Sequence, residues 1–166
     1  MKKLLLLIVI IIPTLARGEE LSIRAEAVVK APQEAVWRAW TTSEGIKSFF
    51  AQGSNIDLRP DGAYEIFFAP DQPAGQRGAD GMRLLLVQPP SALAFTWNAP
   101  FQFPEQRKHR THVMLRFTPI DDNTTRVLLV HDGFGDGPEW QKVRDYFQNA
   151  WTTFVLPRLV ASFEKK

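Results

Sequence analysis

From Trp140 onward, apolar residues recur at helical spacing: Trp140, Val143, Phe147, Ala150, Trp151, Phe154, Val155, Leu159 and Phe163. That stripe predicts one long amphipathic helix at the C-terminus. Gly137-Pro138 marks its start, because proline is tolerated at the first helical position, where the missing N–H costs nothing. Pro157 falls inside the stripe and predicts a bend near Phe154 rather than a stop. A helix with so wide an apolar face needs a partner surface, and the residues before it supply one.

Those residues alternate with period two, as half-buried strands do. Ile23, Ala25, Ala27 and Val29 form the first such run. Pro32 then opens a short helix with Val36, Trp37 and Trp40 on one face, and Ser43 is placed to cap a second, with Ile46, Phe49 and Phe50 inward. Six antiparallel strands are expected next. The inward sets are Tyr64, Ile66, Phe68; Leu93, Phe95, Trp97; Thr111, Val113, Leu115, Phe117; and Val127, Leu129, His131. Pro60-Asp61-Gly62 and Asp121-Asp122-Asn123 read as hairpin turns. Two Gly/Pro-punctuated stretches, 69–81 and 98–110, read as mobile loops. The fold class is therefore α+β: a curved antiparallel sheet wrapped around a long C-terminal helix, with two short N-terminal helices. One helix cannot fill the concavity of a curved sheet, so a void is expected near Phe49 and Phe50, beneath Phe147, Trp151 and Phe154.

The N-terminus differs from this body. Lys2 and Lys3 precede an unbroken apolar run from Leu4 to Ile12, then Pro13 and the small residues of Ala16-Arg17-Gly18. This is the secretory pattern, and the run is too short for a spanning helix, which needs about 20 apolar residues. Residues 1–18 are expected to be a signal peptide and 19–166 one domain, periplasmic or secreted, with no stable membrane insertion after cleavage. Losing Lys2, Lys3 and Arg17 takes the formal charge from +2 to −1. With no dense basic run left, nucleic-acid binding loses its electrostatic basis. The absence of cysteine excludes a disulfide framework and a thiol nucleophile.

Several segments together resemble the START-like (SRPBCC, birch-pollen-allergen-like) superfamily. They are Ala31-Pro32 with Val36-Trp37 and Ala39-Trp40-Thr41; Asp57 to Gly62 with Tyr64; and Pro89-Pro90 with Leu93 to Trp97. Arg126-Val127 leading to His131-Asp132-Gly133-Phe134, and Glu139-Trp140 before Tyr146-Phe147 and Trp151, complete the set. The nearest branch looks like the bacterial homologues of the activator of the ninety-kilodalton heat-shock ATPase. The resemblance runs from about Leu21 to the C-terminus and implies the helix-grip fold with a hydrophobic cavity under the long helix. It implies no single activity, since such folds host binders, cyclases and hydrolases. An exported chain would meet neither a cytosolic chaperone nor ATP, so chaperone activation is not carried over.

The expected ligand-binding residues are Phe49, Phe50, Tyr64, Ile66, Phe68, Phe95, Trp97, Phe101, Phe103, His131, Phe147 and Trp151. His131 is the one candidate for chemistry, as a general base or as a group orienting a ligand carbonyl; the alternative is a core histidine satisfied by hydrogen bonds. Phe101 and Phe103 sit in a loop, either gating a pocket or folded back on the core. Arg107, Lys108 and Arg110 form a short basic patch that reads as solvated loop. His109 and His112 are three apart on an expected strand, hence on opposite faces, and no third ligand joins them, so neither metal nor other cofactor is expected. Three functions follow. The first is a binder of an apolar small molecule, lipid-like or aromatic, without chemistry. The second is an enzyme on such a ligand with His131 as acid/base. The third is an envelope protein-interaction module, favoured by an exposed apolar patch at Phe101, Phe103 and Phe134. Side chains packed without a void would remove the ligand-binding reading and leave the third function in front.

Overall fold

The computed structural model describes residues 21–164; the expected leader, residues 1–18, lies outside them. The chain runs β1 (Ile23–Val29), α1 (Gln33–Thr41), α2 (Ser43–Phe49), β2 (Gly53–Ile56), β3 (Tyr64–Phe67), β4 (Gly78–Ala79), β5 (Leu84–Gln88) and β6 (Ala92–Trp97). It continues through α3 (Pro104–Arg107), β7 (Thr111–Asp121), β8 (Thr124–Asp132), α4 (Pro138–Asn149), a π-helical turn (Ala150–Val155) and α5 (Leu156–Glu164). The five-stranded sheet has the order β1-β8-β7-β6-β5, and β2-β3-β4 form a smaller one. All pairings are antiparallel. Backbone bonds from Tyr64 N–H to the Met82 carbonyl and from Leu84 N–H to the Gly62 carbonyl join the two sheets. The curved sheet grips the C-terminal helix, as alternation and stripe led one to expect, and this is the helix-grip fold that the START-like resemblance implies.

The core follows the alternation. Val113, Leu115, Phe117, Val127 and Leu129 are buried, while Met114, Arg116 and Arg126 between them face out. Register places Leu115 opposite Leu129 and Val113 opposite His131, so one apolar face spans both strands. Helix α1 covers its far end. Trp37 meets Phe117 edge to face with ring centroids 5.8 Å apart, and the Gln33 amide donates to the Phe117 carbonyl.

Four local expectations need correction. Seven strands, not six, follow the first two helices, because two residues of the 69–81 stretch pair as β4. That stretch is internally tied: the Asp80 carboxylate accepts from the backbone N–H groups of Gly75, Arg77 and Gly78 and from Arg77 Nε. These donors hold Asp80 below the usual carboxylate pKa even though burial opposes them. The 98–110 stretch carries the one-turn helix α3, and the Arg107 guanidinium donates to the carbonyls of Ala99 and Gly78, bolting the two stretches together. The cap of α2 is Thr42, not Ser43. Thr42 is extended and its hydroxyl accepts from Gly45 N–H, whereas Ser43 is already helical.

The fourth correction concerns the long helix. It does not simply bend at Phe154; it widens. The Leu156 N–H donates to the Trp151 carbonyl, five residues back. The π-helical turn inserts one residue directly before Pro157, where an α-helical turn would bring the proline ring against the carbonyl of Thr153. Buried positions then run Val143, Phe147, Trp151, Leu156, Leu159, with a step of five at the insertion. Phe154, expected beneath the sheet, is rotated out and is 46% exposed.

Candidate functional site

The inner wall of the grip has two ends. At one end, His131 closes β8 against the helix. Its Nδ1 lies 3.0 Å from Trp151 Nε1, and its Nε2 lies 2.8 Å from Thr111 Oγ1. An indole N–H only donates, so Nδ1 must accept; the ring is then neutral with its proton on Nε2, donated to Thr111. Phe134 and Phe147 pack on the imidazole with centroids 4.5 and 4.7 Å away. Burial pushes the His131 pKa down to about 3, with His112 adding a smaller push in the same direction. Both ring nitrogens are thus engaged, so in this arrangement no lone pair of His131 is available to take a proton from a ligand.

At the other end, the wall opens. Phe49 and Phe50, at the end of α2, stack at 5.7 Å, and Phe50 also stacks on Trp97 at 5.9 Å. Phe49 and Phe50 line a cleft of about 590 Å³ whose lining also includes Lys47, Gln52, Phe68 and, from α5, Arg158, Ala161 and Ser162. That volume lies in the range of small-molecule sites, about 300–1,000 Å³. Trp40 packs against Phe49 and Phe50 at 5.0 and 5.5 Å. Its Nε1 is the buried side-chain polar atom without a hydrogen-bond partner among the described residues. A second cleft, about 330 Å³, lies across Phe68 from the first and is lined by Trp97, Phe101, Arg107 and Tyr146, among others.

The structure divides the expected site residues between these places. Tyr64, Ile66, Phe95, Trp97, Phe147 and Trp151 are all buried and meet one another in the core. Tyr64 packs on Phe95 at 4.4 Å, Phe95 on Trp97 at 5.6 Å and Trp97 on Trp151 at 6.1 Å. The Tyr64 hydroxyl donates to the Trp40 carbonyl, and burial raises its pKa, so it stays a donor. These residues pack on one another in the core, and the cleft at Phe49 and Phe50 opens where a void was expected beside the two N-terminal helices. Phe68 does not continue the inward row of Tyr64 and Ile66: β3 ends at Phe67, Phe67 is buried, and Phe68 is 44% exposed with its ring edge on Phe50. His131 does not face either cleft. Phe103 packs on the core, while Phe101 is half-exposed with the Arg107 guanidinium 3.8 Å over its ring. Phe134 is buried, so the patch looked for at Phe101, Phe103 and Phe134 does not form.

Sequence reasoning missed three residues that matter here. Thr111 was placed on the inward face, and a polar residue two positions from the partner of His131 was the available sign that the two would pair. Lys47 and Arg158 sit on solvent-facing helix positions, where nothing local marks them. The exposed His112 pairs with Asp132 at 3.2 Å, and among the described residues no three metal-ligating side chains gather.

The profile of the family described as Activator of Hsp90 ATPase homolog 1-like protein matches residues 30–164. The chain belongs to that family. Among curated protein sequences, none matches it. Solved structures share its fold. A Mesorhizobium loti protein superposes with a TM-score of 0.64 at 21% identity, over 87% of this chain and 94% of its own. An HSP90 activator from Plasmodium falciparum does so at 0.63 and 16%, over 84% and 93%. DynU16, from the dynemicin biosynthetic locus, reaches 0.65 at 17% identity, with 87% of this chain covering 48% of that one. At such identities the likeness concerns architecture. The START-like resemblance read from Ala31-Pro32, Trp37 and the later segments is the family found.

Proposed function

We propose that this member of the Activator of Hsp90 ATPase homolog 1-like family is an exported protein that holds an apolar small molecule at the mouth of its grip. The observation that carries this reading is the cleft of about 590 Å³ lined by Phe49, Phe50 and Phe68. Aromatic walls supply burial, at about 25 cal/mol per Å² of apolar surface removed from water. The family is one of small-molecule and protein binding in general, which suits a site of this kind. The leader read in residues 1–18 supports export, and no helix among the described residues is long and apolar enough to cross a membrane.

The enzymatic alternative relied on His131, and its hydrogen bonds to Trp151 and Thr111 leave it a positioning element of the core. Protein interaction is the second reading. It is favoured by exposed Phe68, Phe101, Tyr146 and Phe154, and one fold neighbour is described as an HSP90 activator. Native mass spectrometry of the protein purified from the cell envelope tests the pair. The expected spectrum shows a chain beginning at or near Glu19 with a bound small molecule. A bare chain that also fails to take up apolar probes would remove the ligand reading, and a chain retaining Met1 in the cytosol would remove export.

A further inference from the structure

The cleft between α2 and α5 is charged on one sign only. Its lining contains Lys47 and Arg158 and no Asp or Glu. The two cations stand on different elements, Lys47 on α2 and Arg158 on α5, so the cleft lies between them. Some surface cations elsewhere are paired, as Lys108 is with Glu105, Lys142 with Glu139 and Arg59 with Asp57. Among the described residues no carboxylate lies within ion-pair distance of Lys47 or Arg158. Helix geometry accounts for only one of them. Lys47 is in the last turn of α2, where the helix dipole favours a cation. Arg158 lies early in α5, within a helix continuous from Pro138 to Glu164, and its guanidinium stands 5.9 Å over the Phe154 ring. The same lining is aromatic, with Phe49, Phe50 and the half-exposed Phe68.

We propose that the ligand of this cleft is an amphiphile with an anionic head group, a carboxylate or a phosphate. Lys47 and Arg158 hold the head from two different helices, and Phe49, Phe50 and Phe68 cover the tail. This inference rests on the reading of the cleft as a ligand site and adds the charge of the ligand. A guanidinium and an ammonium both donate to either head group, the guanidinium in a fork that suits two oxygens at once. A neutral ligand of the same tail would fill the same aromatic surface and gain nothing from the two cations.

The experiment titrates the processed full-length protein with four probes of one tail length, each below its micelle-forming concentration: dodecanoate, dodecyl phosphate, dodecanol and dodecyltrimethylammonium. Chemical shifts of the Phe50 and Phe68 backbone amides report occupancy. The expected result is that one or both anions bind about ten-fold more tightly than dodecanol at low salt, and that the cation binds more weakly than dodecanol. The tighter of dodecanoate and dodecyl phosphate names the head group. The double variant Lys47→Gln, Arg158→Gln should bind all four about equally, and raising salt should shrink the preference in the parent, because exposed charges are screened. Both substituted side chains are exposed, so the variant is expected to fold, and its melting temperature checks this. Equal binding of dodecanoate and dodecanol by the parent, or a preference that survives the double substitution, would overturn the anionic head group and leave the cleft itself standing. Failure of all four probes to shift Phe50 and Phe68 would remove the cleft as a ligand site altogether.

Discussion

The two ends of the inner wall treat their polar groups differently. At the His131 end every polar atom of the trio is paired: indole to imidazole, imidazole to threonine hydroxyl. At the Phe49–Phe50 end a buried indole N–H, that of Trp40, has no partner, and a cleft opens directly beyond the two phenylalanine rings. Both ends are equally aromatic, so apolar content does not separate them. What separates them is closure. A buried polar network pays off only when every member is satisfied, and the first end is built that way, from three elements that fix one another. The second end leaves a buried donor idle and a surface uncovered.

If the closed end is the structural anchor, damage there should be the most severe. Trp151 is fully buried, stacks on Phe147 and carries the bond to His131. Trp151→Ala is expected to destabilise by about 3–5 kcal/mol, measured by urea denaturation. A loss below about 1 kcal/mol would mean that the two ends do not differ in the way described.

The closed end should also make stability depend on pH. The folded pKa of His131 is depressed to about 3, while an unfolded histidine titrates near 6.5. Between these values the unfolded chain binds a proton that the folded chain refuses. Stability is therefore fully present above about pH 6.5 and is lost as pH falls toward 3, by at most roughly 1.4 kcal/mol per pH unit from this group. His131→Gln offers a carbonyl for Trp151 and an amide N–H for Thr111 without titrating. It should lower stability at pH 7, through lost contacts with Phe134 and Phe147, yet flatten the profile between pH 6.5 and 4. Parallel profiles for parent and variant would show that His131 is not the group responsible.

A matched pair of substitutions compares the ends directly. Trp151→Phe and Trp40→Phe each remove an indole N–H and a similar volume from a buried site. At Trp151 the change strands the His131 Nδ1 acceptor; at Trp40 it deletes a donor that had no partner. Trp151→Phe should cost about 1–3 kcal/mol more than Trp40→Phe, the usual penalty for an orphaned buried group. Equal losses would mean that the bond to His131 contributes little.

Period and spacing carried the architecture as far as periodicity held. Alternation placed Val113 to Phe117 and Val127 to His131 on the buried face, and the helical stripe placed Val143, Phe147 and Trp151. The two misplaced aromatic side chains fell where the period changed. Phe68 was assigned inward because a strand was carried one residue too far, past the buried Phe67. Phe154 was assigned inward because a π-helical turn shifted the register before Pro157, and nothing in a 3.6-residue pattern announces an inserted residue. The site was less legible than the fold for a related reason. Phe49 and Phe50 stood out as apolar, but Lys47 and Arg158 reach the cleft from elements more than a hundred residues apart. That meeting is a property of the packed helices and leaves no trace in either segment.

The smallest expected effect on stability falls at Phe68, and it is the sharpest test of the open end. Phe68 is 44% exposed and meets Phe50 in a T-shaped contact, with ring centroids 5.7 Å apart. Phe68→Ser gives up one edge-to-face contact and some half-exposed surface, so unfolding should change by about 1 kcal/mol or less. The same side chain walls both clefts. If the open end receives a ligand, Phe68→Ser should weaken binding of every dodecyl probe by about ten-fold whatever its head group, because the tail loses its outer wall. This sets it apart from the Lys47 and Arg158 substitutions, which should act only on the anions. Calorimetric titration of the variant, run beside its melting curve, separates the two quantities. Unchanged binding with unchanged stability would show that Phe68 is merely an exposed side chain and that the rim of the grip is not where the ligand sits.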